Sequence, residues 1–203
     1  MKHAIARPRL AALAGLAAVL ALPAARADGD RRTDTEEVTN LIYCYARGTD
    51  AIGDATTNGN PRGKGLAIYK QCFTQDAEFR AWFPQQPFDS QTFPDGSTTQ
   101  VYIGPAAWAD FVNGVFRGNG YDFTQHMLSN VDVAVSGRTA KLTAYLNASH
   151  VVSGSSVGGV SQCVAVANGT YSLTAKRIGS QWKATKLDLT LITFNPVFGC
   201  QPN

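Results

Sequence analysis

The chain has 203 residues, 44% of them apolar and 16% charged, with a net charge of +3. Residues 1–27 hold four bases (Lys2, Arg7, Arg9 and Arg26) and no acid, so residues 28–203 sit near −1. With the basic excess confined to one end and no basic stripe elsewhere, the composition excludes a nucleic-acid binder.

The N-terminus has three parts. "MKHAIARPRL" is basic, Leu10 to Leu22 is an apolar run of 13 residues, and Ala25-Arg26-Ala27 has the A-x-A form. This predicts a signal peptide over 1–27, cleaved after Ala27. The apolar run is shorter than the ~18 residues of a spanning helix. The protein is therefore expected to be exported, periplasmic or secreted, with no membrane attachment after cleavage. Cys44, Cys72, Cys163 and Cys200 all follow the leader. An even count in an exported chain points to disulfides, and three connectivities are open. There is no CxxC and no HxxxH, so no metal site is expected.

Residues 28–34, "DGDRRTD", read as a flexible lead-in. "TDTE" at 33–36 is a capping-box pattern. Behind it Val38, Leu41, Ile42 and Tyr45 form one helical stripe, and the helix should end near Asp50, before Gly53. Gly53 to Gly65 is rich in Gly and Asn and reads as a loop. "LAIYKQCF" is a short helix and "AEFRAWF" (77–83) a strand. Residues 84–100 are too rich in Pro, Gly and polar side chains for regular structure. "GPAAWADFVNGVFRGNG" is a helix with Pro105 in its first turn and Gly118 near its end.

The rest alternates as strands. Val131, Val133 and Val135 are followed after "SGR" by Ala140, Leu142, Ala144 and Leu146. "SGSSVGG" (153–159) reads as a flexible connection. Two long strands then run from Val164 to Ile178 and from Gln181 to Phe194. Helices early and strands late predict an α+β domain, with helices on one face of a mainly antiparallel sheet. A hairpin centred on Gly179-Ser180 would set Cys163 opposite residue 196, near Cys200. Cys44 and Cys72 would then pair between the two early helices, or remain reduced.

Several segments together resemble the SnoaL-like branch of the nuclear transport factor 2-like superfamily. They are "YARGTDAIGDA", "YKQCFTQDAEFRAWF", "IGPAAWADFV", "TQHMLSNVDVAVSGRTAKLTAYLNASH" and "NGTYSLTAKRIGSQWKATKLDL", spread over 35–203 as a single domain. The resemblance implies a strongly curved sheet wrapped around helices, a cone with an apolar pocket, and a homodimer through the open sheet face. In members similar to scytalone dehydratase and dehydrochlorinase, an aspartate ending the first helix pairs with a histidine in T-x-H. The matching residues here are Asp50 and His126. Thr49 stands where scytalone dehydratase has a tyrosine, and its second histidine matches Tyr145 or His150. The dehydrochlorinase's basic helpers have no counterpart.

A carboxylate on one imidazole nitrogen fixes the tautomer and leaves the other nitrogen as a base. That chemistry, proton abstraction for isomerisation, dehydration or elimination, needs no cofactor. Tyr43, Tyr45, Tyr69 and Tyr145 are candidate substrate-binding hydroxyls that would polarise a substrate oxygen. Asp50 lies at the flank of the helical stripe, about 120° from Val38 at ~100° per residue, and could equally solvate the helix end. Strict alternation sets His126 with Leu128 and Asn130, opposite Val131, Val133 and Val135. A β-bulge, or burial of both faces of a curved sheet, would reconcile this. His150 reads as a rim residue. Trp82, Phe83, Trp108, Phe111 and Phe116 read as core. The sequons at Asn147 and Asn168 are discounted behind a bacterial-type leader. Two functions stay open: a cofactor-independent lyase or isomerase acting on a small apolar or cyclic molecule, or a non-catalytic module binding a hydrophobic ligand.

Overall fold

A computed structural model describes residues 27–56, 59–83, 101–157 and 160–195. Expectations for the leader, for 84–100 and for Cys200 lie outside these residues. The elements in chain order are α1 (Ala27–Gly53), α2 (Pro61–Cys72), β1 (Phe73–Trp82), β2 (Tyr102–Ile103), α3 (Gly104–Gly118), β3 (Tyr121–Ser136), β4 (Thr139–Val157), β5 (Val160–Ile178) and β6 (Gln181–Asn195). One six-stranded sheet runs β2-β1-β6-β5-β4-β3. Every pair is antiparallel except β1–β6. This is the α+β architecture expected, a mixed and mainly antiparallel curved sheet around helices.

The α1 stripe forms as its spacing dictates, with Val38, Leu41, Ile42 and Tyr45 all buried. The helix is longer than the pattern suggested at both ends. It starts at Ala27, so 28–34 is helical rather than a lead-in and the Thr33–Glu36 pattern lies inside it. Arg31 and Arg32 favour helix and nothing there stops it. Asp34 is drawn into tertiary contact instead: its carboxylate accepts from the Trp182 indole at 3.0 Å and pairs with Arg177 at 2.9 Å. At the other end α1 runs through Gly53, where Arg117 of α3 donates to the carbonyls of Ile52 and Gly53, 3.1 Å each. A cation there satisfies carbonyls that have no partner within the helix.

Two close approaches hold α1 in place. A Cβ on Gly65 would strike the backbone of Gly48 and the side chain of Ile52, so α1 and α2 can cross closely only with glycine there. The same crossing carries the Cys44–Cys72 disulfide and a 2.7 Å bond between the Thr49 and Tyr69 hydroxyls. A Cβ on Gly53 would collide with Thr124 of β3, which is why the end of α1 can lie directly against that strand.

The sheet's inner face is small and apolar. Ala140, Leu142, Ala144, Leu146 and Ala148 on β4 face inward with Ala165, Ala167, Leu173 and Ala175 on β5, all buried. Alanines alternating with leucines leave room for a helix inside a curved sheet. Tyr45, Tyr69, Phe73, Phe79, Trp108 and Tyr171 fill that room as a chain of stacked and edge-on rings.

The β5–β6 hairpin turns at Gly179-Ser180 and pairs Ile178 with Gln181, as read from sequence. The register then slips at Thr174/Ala175 and again at Asn168/Gly169, so Val166 meets Asn195. Bulges of this kind are not visible in alternation, and they displace the simple mirror register that set Cys163 opposite residue 196. Cys163 is disulfide-bonded. The expected flexible connection at 153–159 is instead strand as far as Val157, with β5 resuming at Val160.

Candidate active site

His126 stands on β3, whose phase looked wrong. The register shifts between Ser129 and Asp132, and Asn130 adopts a left-handed φ of 49°. This is a bulge: Ser129 and Asn130 both face outward, and His126 and Leu128 share the inner face with Val131, Val133 and Val135. Asparagine tolerates that backbone better than most residues, so the bulge sits where the sequence permits it.

Asp50, one turn before the end of α1, meets β3 at this point. Its Oδ1 lies 2.7 Å from His126 Nδ1 and accepts from the Thr124 hydroxyl at 3.1 Å. Its Oδ2 accepts from the His126 backbone N–H at 3.2 Å. Asp50 is therefore held by three donors and does not merely solvate a helix end. A carboxylate only accepts, so Nδ1 carries the hydrogen, and in the neutral ring the lone pair is on Nε2. The His126 side chain is 6% exposed and that of Asp50 30%.

His126 lines a cavity of about 150 Å³ with Tyr45, Trp108, Phe116, His150 and Tyr171 among its walls. Among the described residues no lysine, arginine or carboxylate lines it. His150 packs edge-on against His126 at 5.6 Å between ring centres, and against Phe116 and Tyr121. Burial, and secondarily the neighbouring His126, depress the His150 pKa to about 4, so it is neutral at pH 7. Burial pushes Tyr45 up to about 12 and raises Tyr69 and Tyr171 well above the ordinary phenol value. All three stay protonated and can serve as donors.

A model of the SnoaL-like domain family matches residues 64–188, more than half of the chain. The chain belongs to the SnoaL-like family. No curated protein matches it in sequence. Among solved structures it is similar to the hexachlorocyclohexane dehydrochlorinase LinA-type3 from Novosphingobium barchaimii, at 19% identity and TM-score 0.58, covering 87% of this chain and 98% of that one. It is also similar to an NTF2-like protein with a cystatin-like fold from Novosphingobium aromaticivorans, at 22% identity and TM-score 0.52, covering 80% and 84%. A third is the Kfla4162 protein from Kribbella flavida, at 17% identity and TM-score 0.57, covering 82% and 95%. At these identities the likeness is one of fold, a fold that includes a dehydrochlorinase.

This SnoaL-like domain brings together only part of the expected set. Of the four tyrosines, Tyr45 alone lines the cavity. Tyr43 is 38% exposed, because two residues along a helix turn it away from both Leu41 and Tyr45. Tyr145 is 55% exposed, since alternation between Ala144 and Leu146 sends it to the outer face. Tyr69 is buried behind Tyr45, bound to Thr49. His150 is a correction: it is 4% exposed and faces the cavity rather than the rim. The signal was present, because the alternation through Leu142, Ala144, Leu146 and Ala148 extends to His150. Trp108, Phe111 and Phe116 are pocket wall as well as core and Trp82 is core alone, whereas Phe83, expected in the core, lines the pocket from an exposed position just after the end of β1. Tyr171 was missed; the alternation that buries Ala165 and Ala167 on β5 reaches it after Gly169.

Proposed function

We propose that the protein is a cofactor-independent lyase or isomerase acting on a small apolar or cyclic molecule. The observation that carries this reading is the 2.7 Å contact between Asp50 and His126 at the wall of an apolar cavity. His126 Nε2 takes a proton from a substrate carbon. The electron pair left behind moves to an adjacent carbonyl oxygen or expels a leaving group from the neighbouring carbon. Asp50 holds the ring and stabilises the imidazolium. In isomerisation the same nitrogen returns the proton at another carbon. The dehydrochlorinase among the fold neighbours supports elimination as one form of this chemistry. The test is solvent deuterium incorporation into a panel of cyclic ketones, followed by mass spectrometry. Exchange dependent on His126 supports the reading; a panel with no exchange above buffer favours the non-catalytic binder, which the apolar wall would also suit.

We further propose that the outer sheet face is covered by a second copy of the chain. In register across β3, β4 and β5 lie Phe123, Val151 and Val164, and beside them Met127, Asn147 and Asn168. Phe123, Met127, Tyr145 and Val164 are 39–55% exposed, and no charged residue interrupts these rows. An uncharged apolar face of this kind suits a self-association surface. Light scattering should give a dimer that the double substitution Met127→Lys and Tyr145→Lys splits; a monomeric wild type at micromolar concentration refutes it.

We also propose export, supported by the leader composition and by the disulfides. The intact mass of the processed chain should begin at Asp28 and should show four alkylated thiols only after reduction. A retained leader, or thiols free before reduction, would sink this.

A further inference from the structure

Three buried polar atoms of cavity-lining side chains have no hydrogen-bond partner among the described residues: Trp108 Nε1, Tyr171 Oη and His150 Nδ1. Their residues are 1%, 1% and 4% exposed. Buried polar groups are almost always paired, and one left unmade costs free energy. Three on one small cavity are therefore not incidental. The Trp108 indole and the Tyr171 hydroxyl both lie close enough to the Tyr45 hydroxyl to favour its ionised form, yet neither completes a hydrogen bond to it. The indole is a donor only. The phenol of Tyr171 is held protonated by burial and by the charges of Tyr45, Tyr69 and Asp50 around it. Both donors approach Tyr45 Oη, but neither meets an acceptor in full hydrogen-bond geometry among the described residues.

The remaining walls limit what can bring that acceptor. Among the described residues no lining residue is a lysine or arginine that would pair an anion, and His150 is neutral. An ionised ligand would lose its hydration with no cation among the described lining residues to replace it. The volume of about 150 Å³ is that of one six-membered ring. We infer that the cavity is a site for an uncharged, single-ring molecule bearing a carbonyl or similar oxygen, which Trp108 Nε1–H and Tyr171 Oη–H grip together. This inference deepens the lyase/isomerase reading by naming the substrate class, and it extends that reading to two specificity-determining residues. The same two donors would stabilise the charge arriving on that oxygen when His126 takes a neighbouring proton. A hydrocarbon of equal shape finds the same walls but leaves both donors unpaired.

The test compares cyclohexanone with methylenecyclohexane, which replaces the oxygen by a CH2 group, for binding to the full protein. The readouts are affinity and the NMR shift of the Trp108 Nε1–H resonance. Trp108→Phe and Tyr171→Phe should each weaken cyclohexanone about tenfold, the loss expected for one buried hydrogen bond, and leave methylenecyclohexane within about twofold. If both ligands weaken equally in the Phe variants, or neither does, the two donors do not read an oxygen and the inference fails. Binding is independent of turnover, so the two ideas separate. Oxygen discrimination without deuterium exchange overturns the chemistry alone, and exchange without discrimination overturns this inference alone.

Discussion

Asp50→Asn is expected to lower solvent exchange into a competent substrate about a thousandfold, within the range of general acid–base catalysis, while ligand affinity stays within about twofold. The carboxylate takes three donors on two oxygens. An amide offers one acceptor oxygen and one NH2 group. If its oxygen keeps His126 Nδ1 and Thr124, its NH2 is set against the His126 backbone N–H. It also carries no charge to stabilise the imidazolium. The variant should fold, at a cost of about 1–3 kcal/mol for the mismatched buried group. Chemistry and stability are thus affected to different degrees, which separates the catalytic reading from a merely structural one. Asp50→Asn turning over at a rate comparable to wild type would remove Asp50 from the mechanism.

The second large effect is a loss of stability in acid that originates at His150. Its folded pKa is about 4, below the ordinary 6.5 expected when unfolded. A depressed histidine favours the neutral form in the fold. Above about pH 6.5 both states are neutral and there is no penalty. As pH falls from there toward 4, the unfolded chain binds a proton that the folded one refuses, and stability drops. The full gap corresponds to about 3 kcal/mol. Around the ring stand Phe116, Tyr121, Phe194 and His126, and Asp50, the one carboxylate acting on it, offsets burial only in part. Denaturant unfolding of wild type and His150→Gln at pH 7 and pH 4 gives the comparison. The wild type should lose about 3 kcal/mol more than the variant over that interval. Parallel losses would mean that other groups control acid stability. The same depression leaves His150 uncharged wherever His126 acts, so it contributes no second cation to the site.

Much of this arrangement was legible in the residues. The α1 stripe needs only a helical period, and burial follows. The hairpin at Gly179-Ser180, the strands around it, and the α3 boundaries rest on local turn and cap chemistry. The resemblance to the SnoaL-like branch, carried by T-x-H and an aspartate near a helix end, pointed to His126 and Asp50. The start of α1 was misread because Asp34 answers to Trp182 and Arg177, far away in sequence. Tyr43 and Tyr145 were misplaced although period alone excludes them, since they alternate away from Tyr45 and from Leu146. His150 was misplaced for the opposite reason, its alternation with Ala148 being passed over for a loop nearby.

The sequence by itself determined most of the elements, the composition of the sheet's inner face and the chemistry available, because these depend on period and side-chain type over short spans. Only the tertiary structure decided that Asp50 and His126 meet, because this depends on a bulge at Asn130 that reverses the phase of β3 and on the contact of Gly53 with Thr124. It also decided the cavity, where Trp108, Tyr171 and His150 come from three different elements. Their missing partners are a property of that convergence, which no local pattern encodes.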